Sequence, residues 1–224
     1  VSAIFVTGTG TDVGKTFLSA ALIRHWRAAV HAVAAFKPVA SGFDPATAQA
    51  SDPGVLLAAL GRPLSDIDAI SPWRFAAPLS PDMAAAREGR TLDFDAIVEF
   101  SRRAAKSAER VLIEGVGGIM VPLDERHTVL DWMSALRLPV LLVAGSYLGT
   151  MSHTLTALRV LAQRNLTVVA VAVSESVAPG APLDETVTTI ARFADLIEVV
   201  GVPRLSGEVH DHPAIARVAT LIDD

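Results

Sequence analysis

Residues 7–22 read TGTGTDVGKTFLSAAL, and this stretch restricts the possible folds more than any other. An apolar strand over residues 3–6 leads in, and a helix over about 14–29 leads out. Between them stand Gly8, Gly10 and Gly14, then a lysine and a hydroxyl, Lys15 and Thr16. The usual phosphate-loop pattern is G-x-x-x-x-G-K-[ST]. It would need a glycine at Thr9; here glycines flank that position, and the Gly14-Lys15-Thr16 end is intact. The physical essentials survive the shift. Backbone N–H groups over residues 11–16 can point at phosphate oxygens, helped by the helix N-terminus. Gly10, Thr11, Asp12, Val13, Gly14, Lys15, Thr16 and Phe17 are therefore the candidate nucleotide-binding residues. Lys15 would reach the β- and γ-phosphates, and the Thr16 hydroxyl would ligate Mg²⁺. The bland alternative is a glycine-rich turn with an exposed lysine. A dinucleotide fold is opposed by the lack of G-x-G-x-x-G.

Further along, strands are expected over 32–36, 111–113, 140–144, 167–173 and 197–200. Helices are expected over 94–106, 129–136, 152–163 and 183–193, with a short one through Leu60 that Asp52 could cap. Residues 43–53 read as a loop, with Pro45, Pro53 and Gly54 as breakers, and the proline-rich 63–81 as irregular. This alternation predicts an α/β fold: one P-loop NTPase domain over 1–224, with a mostly parallel sheet and helices on both faces. Apolar residues make up 51% and mean hydropathy is +0.43, yet runs such as 139–144 and 168–173 fall far below the roughly 18 residues that span a bilayer. Such runs suit strands buried on both faces. In these sheets ligands gather beyond the carboxyl ends of the strands. The glycine-rich segments 7–14, 37–42, 114–118, 145–149 and 174–180 all follow strands and should converge on one edge.

Charge excludes some partners. Acidic residues outnumber basic ones 24 to 19, the opposite of a nucleic-acid binder, and the C-terminal stretch 212–224 ends in two acids, unsuited to an anionic membrane. The sequence has no cysteine, which removes disulfides and thiol chemistry. No basic-then-apolar leader precedes the first strand, so a cytoplasmic protein is expected.

Three other strand ends carry candidate chemistry. In VLIEGVGG, residues 111–118, Glu114 would hold Mg²⁺ directly or through water, or cap its own loop by accepting from backbone amides. In FKPVASG, residues 36–42, Lys37 could stabilise a transferred phosphoryl group, or simply reach into solvent. In LGTMSHT, residues 148–154, Thr150 or Ser152 could cap the next helix, or the helix start could hold a substrate carboxylate.

GTGTDVGKT (8–16), KPVASG (37–42), EGVGG (114–118) and LGTMSHT (148–154), with PLSP (78–81) and TVLDW (128–132), together resemble the dethiobiotin synthetase family over residues 4–205. The resemblance implies an ATP-dependent ligase of biotin synthesis acting on 7,8-diaminopelargonate, CO₂ and ATP, and a homodimer. An amine takes up CO₂ to give a carbamate. The carbamate oxygen attacks the γ-phosphate, giving a carbamic–phosphoric anhydride, and the second amine closes the ring and expels phosphate. Carried over by position, Lys15, Lys37 and Thr11 become catalytic, and Thr16, Asp52 and Glu114 place Mg²⁺. Thr11, Lys37 and Ser41 meet the carbamate or diamine, while Leu148, Gly149, Thr150 and Ser152 hold the substrate carboxylate, reaching into the partner's site. Asp12 lies beside ATP and substrate; Gly117, Ser174, Pro203 and Leu205 join the nucleotide site.

Two positions depart from the family. Ser174 stands where many relatives use asparagine against adenine, and one hydroxyl cannot make an amide's paired contact, so base selectivity should loosen unless the backbone over 203–205 reads the base. Ser152 replaces an asparagine in the carboxylate loop but still offers one hydrogen bond. No histidine is needed: His25, His31, His127 and His210 are expected at the surface, and His153 as structural. An amidoligase of the cobyrinic-acid diamide class would need a glutaminase cysteine. A ParA/MinD-like ATPase switch, the alternative from another class, carries an extra lysine early in its phosphate loop, where this chain has Gly10.

Overall fold

The structure is a computed structural model that describes residues 2–205 and 211–223; His210 lies outside the described residues. In chain order the elements are β1 (Ser2–Gly8), α1 (Lys15–Ala28), β2 (Val33–Phe36), β3 (Val39–Ser41), α2 (Asp52–Leu60), α3 (Ile67–Ile70) and β4 (Trp73–Phe75). There follow α4 (Pro81–Arg87), α5 (Phe94–Ala104), β5 (Arg110–Glu114), α6 (Val129–Leu136), β6 (Val140–Gly145), α7 (Thr150–Gln163), β7 (Val168–Ser174), α8 (Leu183–Ala191), β8 (Val199–Val202) and α9 (Pro213–Asp223).

Six strands form one sheet in the order β2-β5-β1-β6-β7-β8, every pairing parallel. The expected parallel α/β architecture is therefore present. The continuous apolar strands have the predicted cause: each is covered on both sides. Ile4 and Val6 of β1 and Leu141 and Val143 of β6 face one core with α1, α2 and α9, while Phe5 and Leu142 face the other with α5, α6, α7 and α8. In the second core Trp132 meets Phe5 edge to face at 4.9 Å, and its indole N–H donates to the Ser101 hydroxyl at 3.0 Å.

Two expectations are corrected. Residues 43–53 are not a plain loop. A 3₁₀ helix occupies Pro45–Ala50, capped by Asp44 through the Ala46 amide, and α2 begins at Asp52. Ser51, not Asp52, is its N-cap, accepting from the Gly54 amide at 3.3 Å. Gly54, read as a breaker, is instead required by contact: a Cβ there would sit 2.1 Å from the Ala48 carbonyl oxygen. Nor is 63–81 irregular. It contains α3 and β4, and β4 pairs in parallel with β3 as a small second sheet beside the first. The C-terminal α9 was not expected, although Ile215, Val218 and Ala219 form a buried face at i, i+3 and i+4.

Candidate active site

The phosphate loop joins β1, the centre of the sheet, to α1. Asp12 and Gly14 take positive φ, 56° and 94°, which turns the chain sharply into the helix. Gly14 has a second reason to lack a side chain: a Cβ would lie 2.6 Å from the Ser174 hydroxyl at the end of β7. Lys15 folds back over the loop and donates to the Gly10 carbonyl at 2.6 Å. Burial, with the nearby charge of Lys37, holds its ammonium down at about 8.

Behind the loop lies a buried polar cluster. Glu114 ends β5 with no exposed surface and takes three side-chain donors: the Thr16 hydroxyl at 2.6 Å, the Ser19 hydroxyl at 2.7 Å and the Lys37 ammonium at 2.8 Å. No backbone amide donates to it among the described contacts, so the loop-capping alternative is set aside. Lys37 does not reach into solvent either. Its side chain is 2% exposed, and its ammonium lies 2.8 Å each from Glu114, Asp52 and the Gly115 carbonyl. Burial pulls its pKa down, the Glu114 and Asp52 carboxylates outweigh that, and the net shift is upward. Asp52 sits at the start of α2, half-exposed; burial opposes its charge, but the Lys37 ammonium beside it prevails and lowers its pKa.

A cavity of about 610 Å³ opens over this cluster, bordered by Thr11, Asp12, Lys15, Thr16, Lys37, Ser41, Asp52 and Gly117, with Pro78–Pro81 forming one wall. The Ser41 hydroxyl is buried without a hydrogen-bond partner among the described residues, as expected of a group that meets a ligand. A second cavity of about 240 Å³ adjoins it, lined by Val13, Gly14, Phe17, Ser174, Pro203, Arg204 and Leu205. One edge of the sheet gathers all five strand-end segments, as expected: the strands are parallel, Ser146 and Ser176 exchange backbone-to-hydroxyl hydrogen bonds, and four of the five line these cavities. The segment 145–149 is not among the linings of these two cavities.

The structure places the remaining candidates elsewhere. Gly149, not Thr150 or Ser152, precedes the first turn of α7, with φ 96°, and neither hydroxyl caps it. Thr150 is buried and donates to the Gly145 carbonyl at 2.5 Å, while Leu148 is 88% exposed. His153 hydrogen-bonds the Tyr147 hydroxyl at 2.8 Å and lines, with Thr9, Gly10 and Thr11, an open apolar groove. His31 and His127 pair with Glu109 and Asp124, away from the cavities. Sequence reasoning missed Ser19, whose signal was its i+3 spacing from Thr16 on the α1 face toward Glu114, and Arg204, which borders both cavities.

The donor chemistry suits a hard divalent cation. Among the described residues no group of three or more His, Cys, Asp or Glu could hold a metal. Two carboxylates and one hydroxyl converge instead, a sparse oxygen set of the kind Mg²⁺ accepts while keeping waters.

A phosphate loop on the central strand, closed over two lysines and two carboxylates, defines a nucleoside-triphosphate-using protein of the P-loop α/β class. Solved structures carry the same fold. The signal recognition particle receptor FtsY from Elizabethkingia anophelis superposes with a TM-score of 0.50 at 16% identity over 99% of this chain and 65% of that one. The signal recognition particle 54 kDa protein from Aeropyrum pernix gives 0.54 at 14% identity over 98% and 46%. A family described as an AAA domain matches residues 2–216. The ATP-dependent dethiobiotin synthetase of Phenylobacterium zucineum is 51% identical over 209 residues, 91% of this chain and 89% of that protein. That of Acidiphilium cryptum is 47% identical over 196 residues, 86% and 88%. The chain belongs to the ATP-dependent dethiobiotin synthetase family, whose members are ligases of biotin synthesis.

Proposed function

We propose that the cavity over Lys15, Lys37 and Glu114 closes the ureido ring of dethiobiotin from 7,8-diaminopelargonate, CO₂ and ATP. The observation that carries this is the joining of a phosphate loop to the unpartnered Ser41 hydroxyl and two lysines in one cavity. The triphosphate lies along residues 10–17, with the base in the adjoining cavity by Ser174, Pro203 and Leu205. Gly117 borders the phosphate end. Thr11 and Ser41 hydrogen-bond the carbamate and the diamine, fixing a weak nucleophile in line with the γ-phosphate. Lys15 and Lys37 offset the charge that develops as the anhydride forms and collapses. Asp12, beside the cavity, faces ATP and substrate.

Thr16, Asp52 and Glu114 would hold Mg²⁺. When bound, the ion supplies charge neutralisation of the β- and γ-phosphate oxygens. The loop of Leu148, Gly149, Thr150 and Ser152 serves the substrate carboxylate of a second copy. The cavity's lining does not include this loop, and Leu148 is exposed; both favour a homodimer over an internal role. Thr150 acts there through its backbone, since its hydroxyl is spent on Gly145. The reading is of a cytoplasmic enzyme. Among the described residues no helix is long and apolar enough to cross a membrane.

The test is product analysis. Protein with ATP, Mg²⁺, bicarbonate and the diamine should yield a product heavier than the diamine by one carbonyl and lighter by two hydrogens. Unchanged diamine alongside hydrolysed ATP would refute the assignment.

A further inference from the structure

Lys37 has three ammonium protons and three acceptors, Asp52 Oδ2, Glu114 Oε1 and the Gly115 carbonyl, each at 2.8 Å. Its three donors are taken up by these acceptors. Yet the proposed chemistry asks this ammonium to face the γ-phosphate, and asks the same two carboxylates to hold a divalent cation. An ammonium and a metal ion cannot both occupy the gap between Asp52 and Glu114.

We propose that Lys37 is an internal counter-ion that the nucleotide-borne metal ion replaces. Without nucleotide, the ammonium screens two carboxylates that would otherwise repel each other in a partly dry site. On loading, the metal takes its place and the freed ammonium swings into the cavity it already borders. The two carboxylates are built unequally for such an exchange. Glu114 is wholly buried and pinned by Thr16 and Ser19, one on each oxygen, so it is the fixed pole. Asp52, half-exposed on the first turn of α2, is the pole that can open. Lys15 adds a push, since the two lysine charges disfavour each other until a polyphosphate arrives. Free metal then binds poorly because it competes with a tethered cation, whereas metal carried on a triphosphate brings its own compensation. This inference rests on the assignment of Asp52 and Glu114 to the metal.

Mn²⁺ serves as the probe, titrated by electron paramagnetic resonance into nucleotide-free protein. Lys37→Met should bind Mn²⁺ more tightly than the unchanged protein by at least about tenfold, the worth of one lost charge-assisted hydrogen bond. The gain should vanish in Lys37→Met/Glu114→Gln. Should Lys37→Met be unfolded in chelator, recovery of its far-UV circular dichroism on adding Mn²⁺ gives the same supporting result. Failure to recover, or equal Mn²⁺ affinity in a folded variant, overturns the inference. The underlying metal assignment has its own control, the affinity for Mn²⁺ with a non-hydrolysable ATP analogue. If Glu114→Gln weakens it while Lys37→Met shows no gain, the exchange is wrong and the metal site stands. If neither Asp52→Asn nor Glu114→Gln changes it, both fall.

Discussion

Raising the pH should cost this enzyme its hold on ATP from about 8 upward, through Lys15. Its side chain is buried, its ammonium lies 2.6 Å from the Gly10 carbonyl, and burial with the Lys37 charge brings its pKa down to about 8. A bound triphosphate favours the charged form, so above that pH binding must take up a proton. The apparent association constant then falls by about tenfold for each pH unit beyond 8, until the pKa of the bound state is reached. The assay is calorimetric titration with a non-hydrolysable ATP analogue from pH 7 to 10, repeated in buffers of different ionisation enthalpy. About half a proton should be taken up at pH 8 and nearly one at pH 9. Stability moves the other way. A depressed lysine pKa disfavours the folded state while the group is charged, so nucleotide-free protein gains stability from Lys15 as pH rises from about 8 to the ordinary lysine value of 10.5. Lys37, shifted upward, keeps its contribution through that window and loses it only at higher pH. Flat affinity from pH 7.5 to 9.5 without proton uptake would refute this account of Lys15.

Lys37→Ala should abolish turnover while leaving nucleotide binding measurable; near-normal turnover would show that the strand-end lysine is not catalytic. Gly14→Ala forces a φ of 94° on a residue with a side chain and drives its Cβ against Ser174, so it should destabilise by at least about 1–2 kcal/mol and weaken nucleotide binding in the same titration. Trp132→Ala removes a fully buried ring and its bond to Ser101, and urea unfolding should show a loss of about 3–5 kcal/mol. With Ser174 at the base cavity, ATP should be preferred over CTP or GTP by a smaller margin in kcat/KM than in relatives with asparagine; an equal margin would assign base reading to the backbone near Pro203.

Most of the fold was legible because long apolar strands and glycine-rich strand ends carry strong local signals. The same signals singled out Lys15, after the glycine-rich loop that follows β1, and Lys37 and Glu114 at strand ends, while Ser41 and Ser174 came only through the family resemblance; the structure gathers all five around two adjoining cavities. What stayed hidden depended on partners distant in sequence. Lys37 was legible as a strand-end cation, but not its ion pairs with Asp52 and Glu114, which come from other elements. Ser19 read as an ordinary helix residue until Glu114 met it across the core. The three-residue strands β3 and β4 are too short for any periodicity, and only their mutual pairing reveals them. Gly54 looked like a breaker because close approach to the Ala48 carbonyl cannot be read from composition.

The central claim is that the γ-phosphoryl group passes to a carbamate oxygen held in this cavity. It is tested most directly by supplying ¹⁸O-labelled bicarbonate with ATP, Mg²⁺ and the diamine, and analysing the released phosphate by mass before the label exchanges with water. The account predicts one ¹⁸O in each phosphate, appearing only when the diamine is present. Unlabelled phosphate released at the same rate with or without the diamine would mean that water attacks ATP, and the carbamate mechanism would be wrong.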